Sequence, residues 1–232
     1  MRCRIADLWV ELDCHPKTLD TARPYACESV GKADIKITPA DYQMLPIKPP
    51  KSAPEPVTDY ACSGMCFGRK LLAFGGMVLH ACAVVYQGKA YLFTAPSGTG
   101  KSTHADLWCR AFAGSYILND DKPAIRLVDG EAYAYGTPWA GKHRINQNQR
   151  VPLGGICLLH RAPTDKIVRA TAADATIALY GQTGHTNLCE QEMEWLLNLV
   201  ESLVQSVPIY HLYCTPTPHA AEVAHQALVS GT

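Results

Sequence analysis

Residues 95–103 read Ala-Pro-Ser-Gly-Thr-Gly-Lys-Ser-Thr and lie between a short apolar segment at 90–94 and a helix-like segment at 103–113. A strand, a glycine-rich loop, a Lys-Ser pair and a helix in this order are typical of a loop that binds phosphate. Gly98 and Gly100 allow the backbone to approach an anion closely, and successive N–H groups and the helix N-terminus point toward that anion. The stretch therefore predicts a nucleotide-binding site.

The side chains of this stretch favour ATP together with Mg²⁺. Lys101 can reach the β- and γ-phosphates, and the Ser102 hydroxyl can ligate Mg²⁺. The predicted nucleotide-binding residues form the loop and the first helical turn: Ser97, Gly98, Thr99, Gly100, Lys101, Ser102 and Thr103. The alternative is a glycine turn capped by Ser and Thr. The first glycine of the usual motif is replaced by Ala95, which precedes Pro96.

Size and composition indicate a globular chain with one sizeable core. Of the 232 residues, 47% are hydrophobic and 18% are charged, and 21 Lys and Arg balance 21 Asp and Glu. Because the net charge is zero, neither a nucleic acid nor an anionic membrane surface is an expected partner. The most apolar stretch, residues 77–86, is too short to span a bilayer. Acidic residues follow Arg2 and Arg4 directly, so a signal peptide is not expected and we predict a cytoplasmic location.

The ten cysteines are scattered along the chain, which favours reduced and partly buried thiols. The nearest pair, Cys62 and Cys66, could bind zinc or form a redox pair. No second pair at ligand spacing accompanies it, so a zinc site is not the favoured interpretation.

The chain divides into two predicted regions. Residues 1–58 form an N-terminal β-rich segment, with strands at 5–12 and 35–37, followed by a Pro-rich linker at 45–58. Residues 59–232 form the predicted nucleotide-binding catalytic domain.

In the second region, apolar runs and turn signals predict two β-hairpins, further strands and C-terminal helices. The hairpins are predicted at 83–94 and 124–135, and the other strands at 116–119, 153–160 and 208–213. Three helices are predicted. The first spans 103–113, the second runs from a capping box at Asn187 and Glu190 to about 205, and the third begins at Thr217-Pro218. The predicted fold class is therefore α/β, with a mixed, partly antiparallel sheet around the phosphate-binding loop and with flanking helices.

Two acidic residues and one histidine complete the predicted site. Asp120 and Asp121 follow the strand at 116–119, and adjacent strands could bring them to the same sheet edge as the loop. Phosphoryl transfer needs one carboxylate near Mg²⁺ and another group to accept the proton of the nucleophile. A solvated turn is the alternative for the acid pair. His80 could ligate a metal or hold phosphate oxygens, and its alternative is an ordinary core histidine.

His80, the loop at 97–102 and the pair Asp120-Asp121 resemble the HPr kinase/phosphorylase family in residue type and spacing. The fold of that family is shared with phosphoenolpyruvate carboxykinase, and the resemblance covers roughly residues 60–160. It implies that Lys101 contacts the transferred phosphate and that Ser102 holds Mg²⁺.

The same resemblance implies that Asp121 accepts the proton, that Asp120 supports the metal, and that His80 lines the phosphate site. Residues 136–142 are similar to a Pro-Trp-x-Gly-Lys stretch in smaller related proteins, which makes Lys142 a further catalytic candidate. The alternative is a tryptophan-anchored turn with a solvated lysine. The basic segment 142–150 stands where the family has an acidic Gly-Leu-Gly segment.

These observations together predict an ATP- and Mg²⁺-dependent kinase that phosphorylates a hydroxyl of a peptide, a protein or a small metabolite. The alternatives are an ATP-binding regulatory module without catalysis and a nucleotide hydrolase. The sequence identifies neither the acceptor nor the oligomeric state, and a homo-oligomer remains open.

Overall fold

The computed structural model describes residues 1–28, 31–46 and 49–230. The strands are β1 Arg2–Ile5, β2 Leu8–Leu12, β3 Ile35–Ile37, β4 Gly76–Val78, β5 Ala81–Tyr86, β6 Lys89–Thr94, β7 Tyr116–Asn119, β8 Ala124–Val128, β9 Glu131–Tyr135, β10 Arg150–Arg161, β11 Lys166–Arg169 and β12 Ile209–Cys214. The helices are α1 Pro16–Ala22, α2 Glu55–Leu71, α3 Lys101–Ala111, α4 Ala172–Gln182, α5 Glu190–Ser206 and α6 Pro218–His225. The predicted mixed α/β fold with flanking helices is confirmed.

Within the described residues, nine strands form a curled mixed sheet in the order β4-β8-β9-β10-β6-β5-β7, with β12 and β11 added beside β10. The long strand β10 makes this curl, because its first residues pair with β9 and its later residues pair with both β6 and β12. β10 therefore joins an antiparallel part of the sheet to a parallel part.

Strand direction determines which loops meet at one edge of the sheet. β10 runs parallel to β6 and β12, while β5 is antiparallel to both β6 and β7. The carboxyl ends of β6, β7, β10 and β12 consequently lie at the same edge as the amino end of β5. Residue 80, the loop after β6 and residues 120–121 all belong to this edge.

Helices cover both faces of the central sheet, so its strands are apolar on both sides. Helices α3 and α6 pack on one face, where Trp108 and Phe93 are fully buried with ring centroids 5.4 Å apart. Helices α4 and α5 pack on the other face through Leu179, Leu196 and Leu203. The two helical layers hold the strand ends of the site edge in place.

The N-terminal segment forms a small separate sheet in the order β1-β2-β3. The single strand predicted at 5–12 is wrong, because Ala6 and Asp7 have positive φ angles and form a tight turn between β1 and β2. Helix α1, which the sequence interpretation did not include, follows β2. This sheet packs against α2 in a shared apolar cluster.

Helix α2 begins inside the stretch predicted as a Pro-rich linker, of which Ile47 and Lys48 lie outside the described residues. Proline is accepted in a first helical turn, because the N–H that it lacks has no partner there. The helix therefore starts at Glu55 despite Pro56 and runs across residue 58. The division of the chain at residue 58 remains a prediction.

Helix α5 starts later than the sequence suggested. The predicted capping box of Asn187 and Glu190 is wrong: Asn187 has a positive φ, and Glu192 accepts the backbone N–H of Cys189 at 2.9 Å.

In the part of the chain that the structure describes, neither α5 nor any other helix has the length and apolar content needed to cross a bilayer.

Candidate functional site

The loop at residues 95–100, here called the glycine loop, connects β6 to α3. Gly98 and Gly100 have φ angles of 79° and 127°, which side chains other than glycine rarely adopt. A Cβ atom at either position would meet nothing within 4 Å, so the space above the loop is open. The N-terminus of α3 at Gly100 has no side-chain cap. Its first N–H groups therefore remain available to an anion.

Lys101 is only 8% exposed although it carries a charge. Its Nζ donates to the Ala95 carbonyl at 2.8 Å and lies 3.5 Å from the Pro96 carbonyl. Burial lowers the pKa of Lys101, the Asp121 carboxylate opposes this effect, and Lys122 adds to it. The ammonium group thus lies beneath the glycine loop, and the negative charge of Asp121 raises its pKa against the effect of burial.

Arg161 fixes the glycine loop from the neighbouring strand. Its Nε donates to the Thr99 carbonyl at 3.0 Å, and its Nη2 donates to the Gly98 carbonyl. Arg161 is the last residue of β10, which runs parallel to β6. The glycine loop and the guanidinium therefore lie at the same edge of the sheet. Sequence reasoning missed this residue, because nothing local relates it to a loop some sixty positions earlier.

His80 and Asp121 meet at the same edge. The Nε2 atom of His80 donates to Oδ1 of Asp121 at 3.2 Å, and Nζ of Lys122 lies 3.0 Å from Oδ2. Burial favours the neutral carboxyl, but the His80 hydrogen bond and the Lys122 charge outweigh it and hold the pKa of Asp121 at about 2. Asp121 is therefore an oriented, ionised carboxylate at neutral pH.

Asn119 shapes the turn that presents the acid pair, Asp120 and Asp121. Its side-chain oxygen accepts the backbone N–H groups of Asp121 at 3.0 Å and Lys122 at 2.7 Å. Its amide nitrogen donates to the carbonyls of Thr137 at 3.1 Å and Trp139 at 3.2 Å. The last residue of β7 thereby ties the turn to the segment that leads to Lys142. The Asx-turn chemistry of Asn directly before the two acids could have suggested this role.

Asp120 holds the segment at 141–143. It is 5% exposed, and its two oxygens accept the backbone N–H groups of Gly141 at 2.6 Å and His143 at 3.2 Å. A Cβ at Gly141 would lie 3.1 Å from both Asp120 Oδ2 and Asp121 Cβ, which is tighter than ordinary contact. Glycine is therefore the residue that fits this close approach.

Lys142 follows this contact directly but its side chain is exposed. Within the described ranges, no ion pair is recorded for it. The structure places the Lys142 backbone beside the acid pair and leaves its ammonium group in solvent.

Of the other predicted loop residues, Ser97 and Thr103 are exposed, and Thr99 and Ser102 are half-buried at the N-terminus of α3.

Cys62 and Cys66 lie one turn apart in α2, both buried and neither in a disulfide. Across residues 1–28, 31–46 and 49–230, no group of three or more His, Cys, Asp and Glu side chains is arranged to hold a metal ion.

The arrangement defines a mixed α/β protein with polar and charged residues from four strand ends at one sheet edge. The chain belongs to the ScmC family, because the sequence model described as SynChlorMet cassette protein ScmC matches residues 61–228. No curated protein matches the chain.

Among solved structures, the chain is similar to the HPr(Ser) kinase/phosphatase from Coxiella burnetii, with 10% sequence identity and a TM-score of 0.38. That match covers 67% of this chain and 98% of the other.

Proposed function

We propose that this protein is an ATP- and Mg²⁺-dependent kinase that transfers the γ-phosphate to a hydroxyl group. One observation supports this most: the glycine loop with its buried Lys101 and the hydrogen-bonded pair His80–Asp121 share one edge of the sheet. Phosphoryl transfer requires a cation for the transferred group and an oriented carboxylate for the nucleophile.

The glycine loop fits a nucleoside triphosphate. The open space above Gly98 and Gly100, and the α3 N-terminus without a side-chain cap, suit an anion held by backbone N–H groups. Lys101 would exchange its bond to the Ala95 carbonyl for a phosphate oxygen, because an ammonium group binds an anion more strongly than a neutral carbonyl. Arg161 would keep the loop in shape during this exchange.

The donors near the loop also fit Mg²⁺. The Ser102 hydroxyl and the Asp120 carboxylate are oxygen ligands, and Mg²⁺ usually takes one or two protein ligands beside water and phosphate. Each Asp120 oxygen accepts one N–H, so lone pairs remain for a cation. Bound there, Mg²⁺ would neutralise charge that develops on the phosphate oxygens.

Asp121 would orient the acceptor hydroxyl and take its proton. In the transfer, the hydroxyl oxygen forms a bond to the γ-phosphorus, the bond from phosphorus to the β-γ bridging oxygen breaks, and the proton goes to Asp121. With a pKa of about 2, Asp121 is a weak base, so the proton moves late and the carboxylate acts chiefly by alignment. His80 and Lys122 keep the carboxylate ionised and fixed.

Incubation of the purified protein with γ-labelled ATP, Mg²⁺ and a pool of metabolites and peptides tests the proposal. The label should appear on an acceptor with wild-type protein and should be lost with Lys101→Ala. Label released only as inorganic phosphate without any acceptor would indicate a hydrolase instead. Tight ATP binding with no turnover in any pool would indicate a regulatory module.

A further inference from the structure

A cavity of about 440 Å³ adjoins Asp121. It lies between helix α2, the segment around Trp139 and the connection from α4 to α5, and its volume is within the range of small-ligand pockets. The lining is mostly apolar or aromatic, and the residues that matter here are Tyr60, Ala61, Gly64, Met65, Gly68, Val78, Trp139 and Leu188.

Small residues of α2 contribute to the lining of this cavity. Ala61, Gly64 and Gly68 lie three and four positions apart, so they share one helix face with almost no side-chain volume. A Cβ at Gly64 would lie 2.8 Å from Cδ1 of Trp139. The indole itself stacks on Phe67, with centroids 4.8 Å apart. The indole is thus packed directly on α2 at Gly64, and Trp139 and the small-residue face of α2 form adjoining walls of the cavity.

The reactive groups form one wall of the same cavity. His80, Asp121 and Lys122 line it, while none of the glycine-loop residues does. Asp121 thus lies between the proposed nucleotide site on one side and the cavity on the other. A molecule in the cavity would meet the carboxylate from the side on which an acceptor must approach.

The charges around the cavity are paired. Arg69 is held by Glu192 through two hydrogen bonds of 2.6 and 2.8 Å, and Asp121 is held by His80 and Lys122. His185 also lines the cavity, and burial lowers its pKa to about 4, so it is neutral near pH 7. Among the described residues that line the cavity, each Lys, Arg and Asp side chain already has a partner of opposite charge, so burying a charged ligand group there would cost solvation free energy.

We infer that this cavity is the acceptor site and that it takes a small, uncharged alcohol or phenol with a compact apolar body. Its hydroxyl would face Asp121, and its body would lie against Trp139 and the small-residue face of α2. This inference rests on the proposed function for the role as acceptor, whereas binding of the ligand class depends only on the cavity.

Binding of small probes in the absence of ATP tests the ligand class directly. Tyrosol, benzyl alcohol and cyclohexanol are the uncharged probes, glycerate is the charged and polar comparator, and ligand-observed NMR gives the dissociation constants. At least one uncharged probe should bind wild-type protein in preference to glycerate. Failure of all three probes, or a preference for glycerate, would overturn the inference.

Ala61→Phe should fill the cavity and weaken probe binding by about 10-fold or more, because a new ring occupies the space of the ligand. The matched control is Val57→Phe, on the same helix at a position 55% exposed and outside the cavity, which should bind as wild type does. Gly68→Leu is a second filling variant in case Ala61→Phe does not fold. Equal affinity in wild type and a folded filling variant would refute the site.

The kinase assay separates the two proposals. Probe binding that Ala61→Phe removes, without phosphoryl transfer to any acceptor, would leave the ligand class standing and overturn the kinase. Labelled phosphate found only on a peptide or protein, with no probe bound, would support the kinase and overturn the cavity as acceptor site.

Discussion

The imidazole of His80 donates a hydrogen bond of 3.2 Å to the carboxylate of Asp121, although the two residues flank different strands. His80 directly precedes β5 and Asp121 follows β7, and these two strands are antiparallel neighbours. A backbone hydrogen bond lies beside this contact: the N–H of Ala81 donates to the Asp121 carbonyl at 3.1 Å. The register of one strand pair thus orients the carboxylate.

Lys101→Ala should reduce phosphoryl transfer by at least ~10³-fold, because it removes the cation nearest to the transferred phosphate. Single-turnover assays with γ-labelled ATP measure the loss. The control is Lys89→Ala, an exposed lysine at the opposite end of β6, which should keep wild-type rates. Near-normal turnover in folded Lys101→Ala would exclude the loop from catalysis.

Asp121→Asn should retain Mg·ATP binding and lose transfer, since a neutral amide aligns the hydroxyl less strongly than a carboxylate and cannot take its proton. Nucleotide affinity by calorimetry and transfer by labelled ATP give the two quantities. Loss of both in equal measure would show that Asp121 serves nucleotide binding instead.

Asp120→Asn should have a different effect. The amide can accept only one of the two N–H groups of Gly141 and His143, and its NH₂ group faces the other. An unmade buried hydrogen bond costs about 1–3 kcal/mol, so the free energy of unfolding should fall by that amount. The apparent affinity for Mg²⁺ in the transfer reaction should weaken as well. Unchanged stability and unchanged Mg²⁺ dependence would contradict both roles of Asp120.

Lys142→Ala should lower kcat or raise the KM of the acceptor by ~10–100-fold, corresponding to one lost charge-assisted contact. The prediction assumes that the exposed ammonium, which follows Gly141 beside Asp120, turns toward a bound phosphate or acceptor. Steady-state kinetics with ATP and acceptor varied separately decide the matter. Unchanged constants for both substrates would make Lys142 an ordinary solvated lysine.

His104→Phe should change the pH dependence of stability. His104 is 3% exposed, packs against Phe93 with tilted rings, and has no hydrogen-bond partner for either ring nitrogen among the described residues. Burial lowers its pKa from 6.5 to about 4, with a weak opposing effect of Asp165. The wild-type fold therefore loses stability as pH falls from 6.5 toward 4, because only the unfolded chain binds a proton there.

Removal of the titrating ring should remove this loss, so the stability of His104→Phe relative to wild type should rise by up to roughly 3 kcal/mol between pH 7 and 4. Urea unfolding at several pH values measures the difference, with the exposed His143→Phe as the control. A constant difference across this range would show that His104 does not contribute the effect.

Local patterns in the sequence predicted those elements whose formation depends on local chemistry. Alternating apolar residues and an Asp-Gly turn predicted the hairpin of β8 and β9, and the glycine-rich stretch predicted the junction of β6 and α3. The tight turn at Ala6–Asp7 was missed because neither residue is a glycine. Helix α2 as a whole was missed, and its first residues were assigned to a linker because of their prolines.

Residue type and local order in the sequence determined a β-strand, glycine loop and helix at 90–111, two acids after a strand, and a mixed α/β fold. Only the tertiary structure decided that His80 contacts Asp121, that Arg161 holds the glycine loop, and that Gly141 packs against Asp120. The reason is physical: these contacts depend on strand order and direction, which are set by burial of whole sheet faces and not by neighbouring residues.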